Sequence, residues 1–298
     1  MKKIEQIIAE ELNIKVQQVE NTIKLIDEGN TIPFIARYRK EVTGGLSDEV
    51  LRTFGERLNY LRNLEKRKEE VTNSIEEQGK LTEEIVKDLE NAITLAEVED
   101  IYRPYKQKKK TRATVAKAKG LEPLAEIILA QEETKNIQEI AAEYISEEKE
   151  VKTVEEAIQG ALDIIAEMIS DNPEYRKLIK QIVYSKGIIK TTATKPEEKS
   201  AYEMYYDYSE NVNKIPSHRI LAINRGEKEE FLKVKIEKEE DKILEKIEKD
   251  IIKGENQFTQ YLKDTIQDSF KRLIEPSIDR EIRSDLTEKA EEQAIKVF

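Results

Sequence analysis

From Ser47 to Gln78 the chain reads S-D-E-V-L-R-T-F-G-E-R-L-N-Y-L-R-N-L-E-K-R-K-E-E-V-T-N-S-I-E-E-Q. Apolar residues return at three- and four-residue steps at Leu51, Phe54, Leu58, Leu61, Leu64, Val71 and Ile75, with Lys68 at the seam position between the last steps. That period is helical. A helix of about 30 residues spans roughly 45 Å. It needs packing along most of its length, so shorter helices are expected against it. The fold class expected is all-α: a multi-helix scaffold with one long helix, a helix-turn-helix unit and a minor β element.

Helical spacing continues on both sides. Upstream, Val16, Val19, Ile23 and Ile26 form one stripe, and Gly29 follows as a stop. Between that stripe and the long helix lies T-I-P-F-I-A-R-Y-R-K-E-V-T-G-G-L, Thr31 to Leu46. An apolar run there meets Arg37, Arg39 and Lys40, and Gly44-Gly45 breaks the chain. Arginine near an apolar run reaches carboxylates bidentately, so Arg37 or Arg39 is expected to tie the loop to a neighbouring acidic helix, with phosphate binding as the alternative.

Downstream, Thr94 with Glu97 and Thr153 with Glu156 read as capping boxes. The first opens a short helix that Pro104 cannot continue. The second opens a longer one with Ile158, Leu162, Ile165 and Ile169 on one stripe. Ser170 to Pro173 is a tight turn with Asn172 as cap, and the next helix buries Tyr175, Leu178, Ile179, Ile182 and Val183. After Gly187, I-I-K-T-T-A-T reads as a strand or wing near Ile188–Thr194, and Phe231 to Ile236 alternates as a strand. Lys195 to Asn213 reads as short helix and loop. Pro216 to Arg225 reads as a helix stopped by Gly226, or alternatively a strand. Later stripes run Ile243, Ile247, Ile251, then Phe258, Leu262, Ile266, Phe270 before Pro276, then Ile278, Ile282, Leu286, Ala290 and Ile295. The expected divisions are 1–150, a helical region; 151–195, the helix-turn-helix unit with a candidate wing; and 196–298, a linker, small β element and further helices. The close on I-K-V-F, without a C-cap, reads as a cut from something longer.

Composition narrows the function classes. The 298 residues carry a net charge of -11, with 38% charged residues, no cysteine, no tryptophan and one histidine. Disulfides and thiolate metal sites are excluded, and no histidine cluster for zinc exists. The lone His218, in I-P-S-H-R, is expected to be a structural hydrogen-bonder, and no catalytic set or cofactor-binding motif stands out, so no enzyme, metal or cofactor is expected. No apolar run approaches the length of a membrane span, and a cytoplasmic protein without membrane contact is expected. A net negative body does not favour wholesale wrapping of nucleic acid. Any such contact has to be local.

Two cationic stretches are candidates. Arg103 to Lys119 holds eight Lys or Arg and no acid. Clustered cations release counterions on binding phosphate, giving salt-dependent, sequence-independent affinity. Arg103, Lys106, Lys108, Lys109, Lys110 and Arg112 are the candidates there, with Tyr102 and Tyr105 placed to stack on exposed bases. The alternative is a solvated loop, or one paired with the protein's own acids. In the helix-turn-helix unit, Thr153–Tyr184, the second helix carries Arg176, Lys177, Lys180, Gln181 and Tyr184 away from its apolar stripe, with Lys186 and Lys190 extending the positive edge. Such a face suits a DNA groove, protein docking or weak phosphate contact, or a plain scaffold, and the sequence leaves the three open.

Several ordered motifs resemble the Tex family, bacterial transcription accessory proteins related to a eukaryotic elongation factor. They are Thr31–Leu46, A-E-V-E-D-I-Y-R-P-Y-K (Ala96–Lys106), the basic run Tyr102–Thr114, A-K-G-L-E-P-L-A (Ala118–Ala125), I-P-S-H-R-I-L-A-I-N-R-G-E (Ile215–Glu227) and P-S-I-D-R-E-I-R (Pro276–Arg283). The resemblance covers essentially the whole chain. It implies the helical N-terminal region of such a protein, ahead of a YqgF-like domain, helix-hairpin-helix modules and a small OB-type barrel that supplies much of the RNA binding. It implies a role in transcription, association with RNA polymerase, and RNA or DNA contact that is weak in this portion alone. It offers no catalytic residue.

Overall fold

The computed structural model describes residues 3–106 and 110–297. It divides into two compact units, Met1–Tyr105 and Lys106–Phe298. Residue 150, where the sequence suggests a division, lies inside the second unit. Ile140, Ala141, Val151 and Ala157 share one core there.

The first unit is helical: α1 (Ile4–Leu12), α2 (Val16–Asp27), α3 (Ile32–Tyr38), α4 (Asp48–Glu77), α5 (Glu83–Asn91) and α6 (Leu95–Tyr102). The Ser47 hydroxyl accepts the Val50 N–H at 3.2 Å and starts α4. The α4 seam is buried throughout, and α1, α3, α5 and α6 pack along it. Lys68 sits in that seam as the sequence places it. Its ammonium donates to the Glu90 carbonyl at 3.2 Å and pairs with Glu65, which is how a buried cation is tolerated. Arginines of α4 clamp the neighbouring helices: Arg57 forked on Glu11, Arg62 forked on Asp27, and Arg67 through one nitrogen on Glu99. The buried face of α2 is Val19, Thr22 and Leu25, and Val16 is exposed, so the helix is rotated from the expected stripe. Gly29, at φ +88°, ends α2 in a Schellman motif: its N–H donates to the Ile26 carbonyl and the Asn30 N–H to the Leu25 carbonyl.

The second unit contains α7 (Arg112–Ala118), α8 (Glu122–Ala130), α9 (Ile137–Ala142), α10 (Val154–Asp171), α11 (Pro173–Lys186), β1 (Ile188–Ala193), β2 (Asp207–Asn211), α12 (Ser217–Lys228), β3 (Leu232–Glu237), α13 (Glu240–Ile251), α14 (Thr259–Asp268) and α15 (Glu275–Val297). Helix α10 is central, with α7, α8, α9 and α14 against it. The fold is mostly α, with a three-stranded antiparallel sheet in the order β2-β1-β3. In register, Ile189 lies opposite Glu210 on one side and Ile236 on the other.

Some local expectations change. Thr153 caps α10 by accepting the Glu156 N–H, but the Glu156 carboxylate accepts from Lys152, one residue before the cap. Lys195–Asn213 holds the strand β2 as well as a short 3-10 turn. Helix α12 runs past Gly226, whose missing Cβ makes room for Leu232, the nearest atom lying 2.6 Å from where the Cβ would sit. Pro276 breaks nothing. Helix α14 passes through a π turn, Ser269–Ile274, directly into α15. Its wider ladder opens the helix just before the proline, whose ring would otherwise meet the carbonyl of the preceding turn. The Ser269 hydroxyl donates to the Ala166 carbonyl at 2.6 Å and fixes the π turn against α10. The side chain of Ile295 lies outside the described residues.

Candidate nucleic-acid interface

The basic segment straddles the end of the first unit and the start of the second. Arg103 is half-buried in a 3-10 turn after α6. Tyr102 and Tyr105 do not face outward for bases. The Tyr102 hydroxyl lies 2.9 Å from the Ser74 hydroxyl, and the Arg67 guanidinium lies over its ring at 5.4 Å. Tyr105 packs against the same core, and burial pushes its phenol above the ordinary range. Both rings serve the first unit's core, because the apolar periodicity of α6 runs on into them.

At the head of the second unit, Lys106, Lys110 and Arg112 are exposed, and Lys108 and Lys109 lie outside the described residues. Thr111 caps α7, accepting the Thr114 N–H at 3.0 Å. That cap places Arg112 on the first turn. Among the described residues, none of Lys106, Lys110 and Arg112 makes an ion pair. Further on, Lys117 pairs with Glu122 and Lys119 donates to the Glu150 carbonyl.

The face of α11 differs from the sequence expectation. Arg176 lies on the buried stripe with Ile179 and Val183 and is 1% exposed. Its guanidinium pairs with Glu281 of α15 and donates to the Ser277 hydroxyl. Lys180 pairs with the other oxygen of Glu281 at 2.7 Å. Lys186 pairs with Glu239, and Lys190 with Glu237. Hydrogen bonds from Lys235 and then Lys190 hold the Glu237 carboxyl below its ordinary range, and Lys242 and then Lys186 do the same for Glu239. Lys177 alone of the four candidates on this helix is exposed without an ion pair among the described residues. Asn172 is the only residue between α10 and α11, so the joint is tighter than the expected four-residue turn. The physical reason for the difference is α15: it supplies a carboxylate to cations that a sequence window around α11 leaves unmatched.

The Thr31–Leu46 segment also departs from expectation. Arg37 is exposed, Arg39 is half-buried, and neither makes an ion pair among the described residues. Glu11 of α1 and Asp27 of α2 pair with Arg57 and Arg62 of α4. Arg39 lies over the Phe34 ring at 5.3 Å. His218 is exposed at the start of α12 and makes no hydrogen bond among the described residues. Phe34 and Tyr38 were not marked by the periodicity, yet they stand on the outer face of α3. The available signal was a seven-residue helix with apolar residues on both faces.

Two family models match: Tex central region-like over residues 132–298, and Tex-like protein N-terminal domain over residues 2–76. Among curated relatives, the protein YdcI of Bacillus subtilis is 52% identical over 99% of this chain and 42% of its own length. The transcriptional accessory protein Tex of Neisseria gonorrhoeae is 36% identical over 99% of this chain and 40% of its own. A human S1 RNA-binding domain-containing protein 1 is 30% identical over 98% of this chain and 31% of its own. The chain thus spans about two-fifths or less of the relatives it matches.

Proposed function

The chain belongs to the Tex family, and from that premise we propose that it is a non-enzymatic, transcription-associated module that contacts nucleic acid weakly through exposed cations at the head of its second unit. The observation that carries the reading is local charge. Lys106, Lys110 and Arg112 stand without carboxylate partners among the described residues, on a chain of net charge -11. The naming of the gonococcal relative as a transcriptional accessory protein and of the human one by its S1 RNA-binding domain agrees with it. Backbone phosphates are the ligand such a patch suits, RNA or DNA alike, because unpaired ammonium and guanidinium groups on a turn offer no base-edge code. Helix α11 takes no part in this reading, apart from Lys177, because its other candidate cations already have acids.

A salt titration of oligonucleotide binding tests it. Three phosphate contacts give a slope of log affinity against log salt of about -2 to -3. Changing Lys106, Lys110 and Arg112 together to Gln is expected to flatten it. Nanomolar affinity at low salt that ignores those changes would overturn the reading. RNA polymerase is the protein partner proposed for the helical surface. Its capture by the chain is expected to weaken under nuclease if nucleic acid bridges the two, and to persist if α11 and its neighbours dock it directly.

A further inference from the structure

We propose that α3 and the loop after it form a stacking platform for single-stranded nucleic acid, built from residues other than Lys106, Lys110 and Arg112. Helix α3 buries Ile35 and Ala36 against α4 and turns Phe34 and Tyr38 outward. The two rings are one helical turn apart, with centroids 5.1 Å apart and planes tilted by 48°. Phe34 is 38% exposed and Tyr38 55%. Val42 adds a third exposed apolar side chain nearby in sequence. Neither ring belongs to the apolar clusters that form the core of the unit.

The cations argue for the occupant. Arg37, Arg39 and Lys40 fall within four residues of one another, with Glu41 the single acid of the segment. Other arginines of this unit are paired with carboxylates: Arg57 forked on Glu11, Arg62 forked on Asp27, and Arg67 shared between Glu99 and Glu70. Arg37, Arg39 and Lys40 have none among the described residues. The Arg39 guanidinium lies over the Phe34 ring at 5.3 Å, so a cation and a part-exposed ring pair already adjoin; such a combination fits a ligand that alternates flat aromatic bases with phosphates. A duplex hides its base faces in the stack and offers only the phosphates.

The platform is held rather than loose. The Gln18 amide donates to the Thr43 and Gly44 carbonyls at 3.1 and 3.2 Å, and the Asn21 amide donates to the Val42 carbonyl at 3.0 Å. Thr43 is buried. Gly44 takes a left-handed φ of +67°, and a Cβ there would lie 2.8 Å from the Gln18 amide nitrogen. Two side chains of α2 therefore fix the loop by its backbone at Val42, Thr43 and Gly44, directly after the cations. Such pre-organisation reduces the ordering that binding would otherwise require.

The choice of ligand class is shared with the function proposed above, but the residues are different, and the test separates the two. Fluorescence anisotropy with a labelled 20-mer oligothymidylate and a 20-base-pair duplex would be run on the whole chain. Comparison is between Phe34→Ala/Tyr38→Ala, the ring-keeping Phe34→Tyr/Tyr38→Phe, and the Lys106/Lys110/Arg112→Gln variant, with circular dichroism showing each folded. Removing the rings is expected to weaken single-strand binding at least about tenfold while leaving duplex binding and the salt slope unchanged. The ring-keeping variant retains binding. Ultraviolet cross-linking to the oligothymidylate is expected to mark Phe34 or Tyr38. Equal loss on single strand and duplex, no loss on either, absence of single-strand binding by the unmodified chain, or displacement of the single strand only by an acidic peptide would each overturn the platform. If the ring variant binds normally and the lysine–arginine variant does not, the platform falls and the phosphate patch stands.

Discussion

Replacing Glu281 by Gln tests how α11 is held. The Arg176 side chain is 1% exposed, and Glu281 is its carboxylate partner, shared with Lys180. Breaking a fully buried ion pair costs about 3–5 kcal/mol, and a hydrogen bond to a charged group is worth about 1.5–3 kcal/mol. The Glu281 side chain is 33% exposed and so keeps part of its hydration, and Arg176 retains its bond to Ser277. The expected loss is therefore at the lower end, about 2–3 kcal/mol. For a folding unit of this size that lowers Tm by about 5–10 °C. Urea unfolding followed by far-ultraviolet circular dichroism measures it, and a double-mutant cycle with Arg176→Met isolates the pair, with a coupling above about 1 kcal/mol expected. Oligonucleotide affinity should not change, since Arg176 is inaccessible. A loss below about 0.5 kcal/mol with no coupling would refute the reasoning and show that the α11 cations do not depend on α15.

Gly44→Ala places a side chain at φ +67° and against the Gln18 amide, so a loss of about 1–2 kcal/mol is expected. Hydrogen exchange should quicken at residues 42–46; unchanged exchange would mean that Gln18 does not anchor the loop. Asp279 gives a pH test. Burial pushes its carboxyl above the ordinary 3.8, against the pull of the buried Lys238 ammonium. Folded Asp279 therefore holds its proton more tightly than unfolded Asp279. Its contribution to stability is full below the unfolded value and is lost as pH rises through the raised folded value. Relative to Asp279→Asn, the unmodified chain should lose ground over that rise; a difference that is flat with pH would contradict the burial assignment.

The readable parts of the fold were those set by local pattern. The α4 seam, with Lys68 inside it, follows from spacing alone, and so does the Thr94 capping box. Strands β1 and β3 announce themselves by β-branched or alternating residues. Strand β2, D-Y-S-E-N, does not: its state is imposed by pairing with β1, a non-local choice that propensity does not carry. Gly226 and Pro276 mislead for a related reason. Each reads as a break, but one makes room for Leu232 and the other follows a π turn. The candidate interface divides the same way. Lys106, Lys110 and Arg112 are where an acid-free run would put them. Arg176 was read as solvated because arginine is polar, whereas its partner lies 105 positions further along the chain. Phe34 and Tyr38 carry no periodic signal; Ile35 and Ala36 take the inner face of the short α3 and leave them outside.

The π turn at Ser269–Ile274 also sets the azimuth of everything after it. A π turn holds one more residue than the α turn it replaces, and each residue of an α-helix advances the face by about 100°. Phe270, Ile274, Ile278 and Ile282 remain on one line to the core, and Glu281 comes round to face Arg176. Removing a single residue from that turn would restore an ordinary helix and swing α15 out of phase, presenting a different row to α11 and α12. The extra residue works as a rotational offset, a means of indexing one rod against the bundle that a loop of any length could not reproduce.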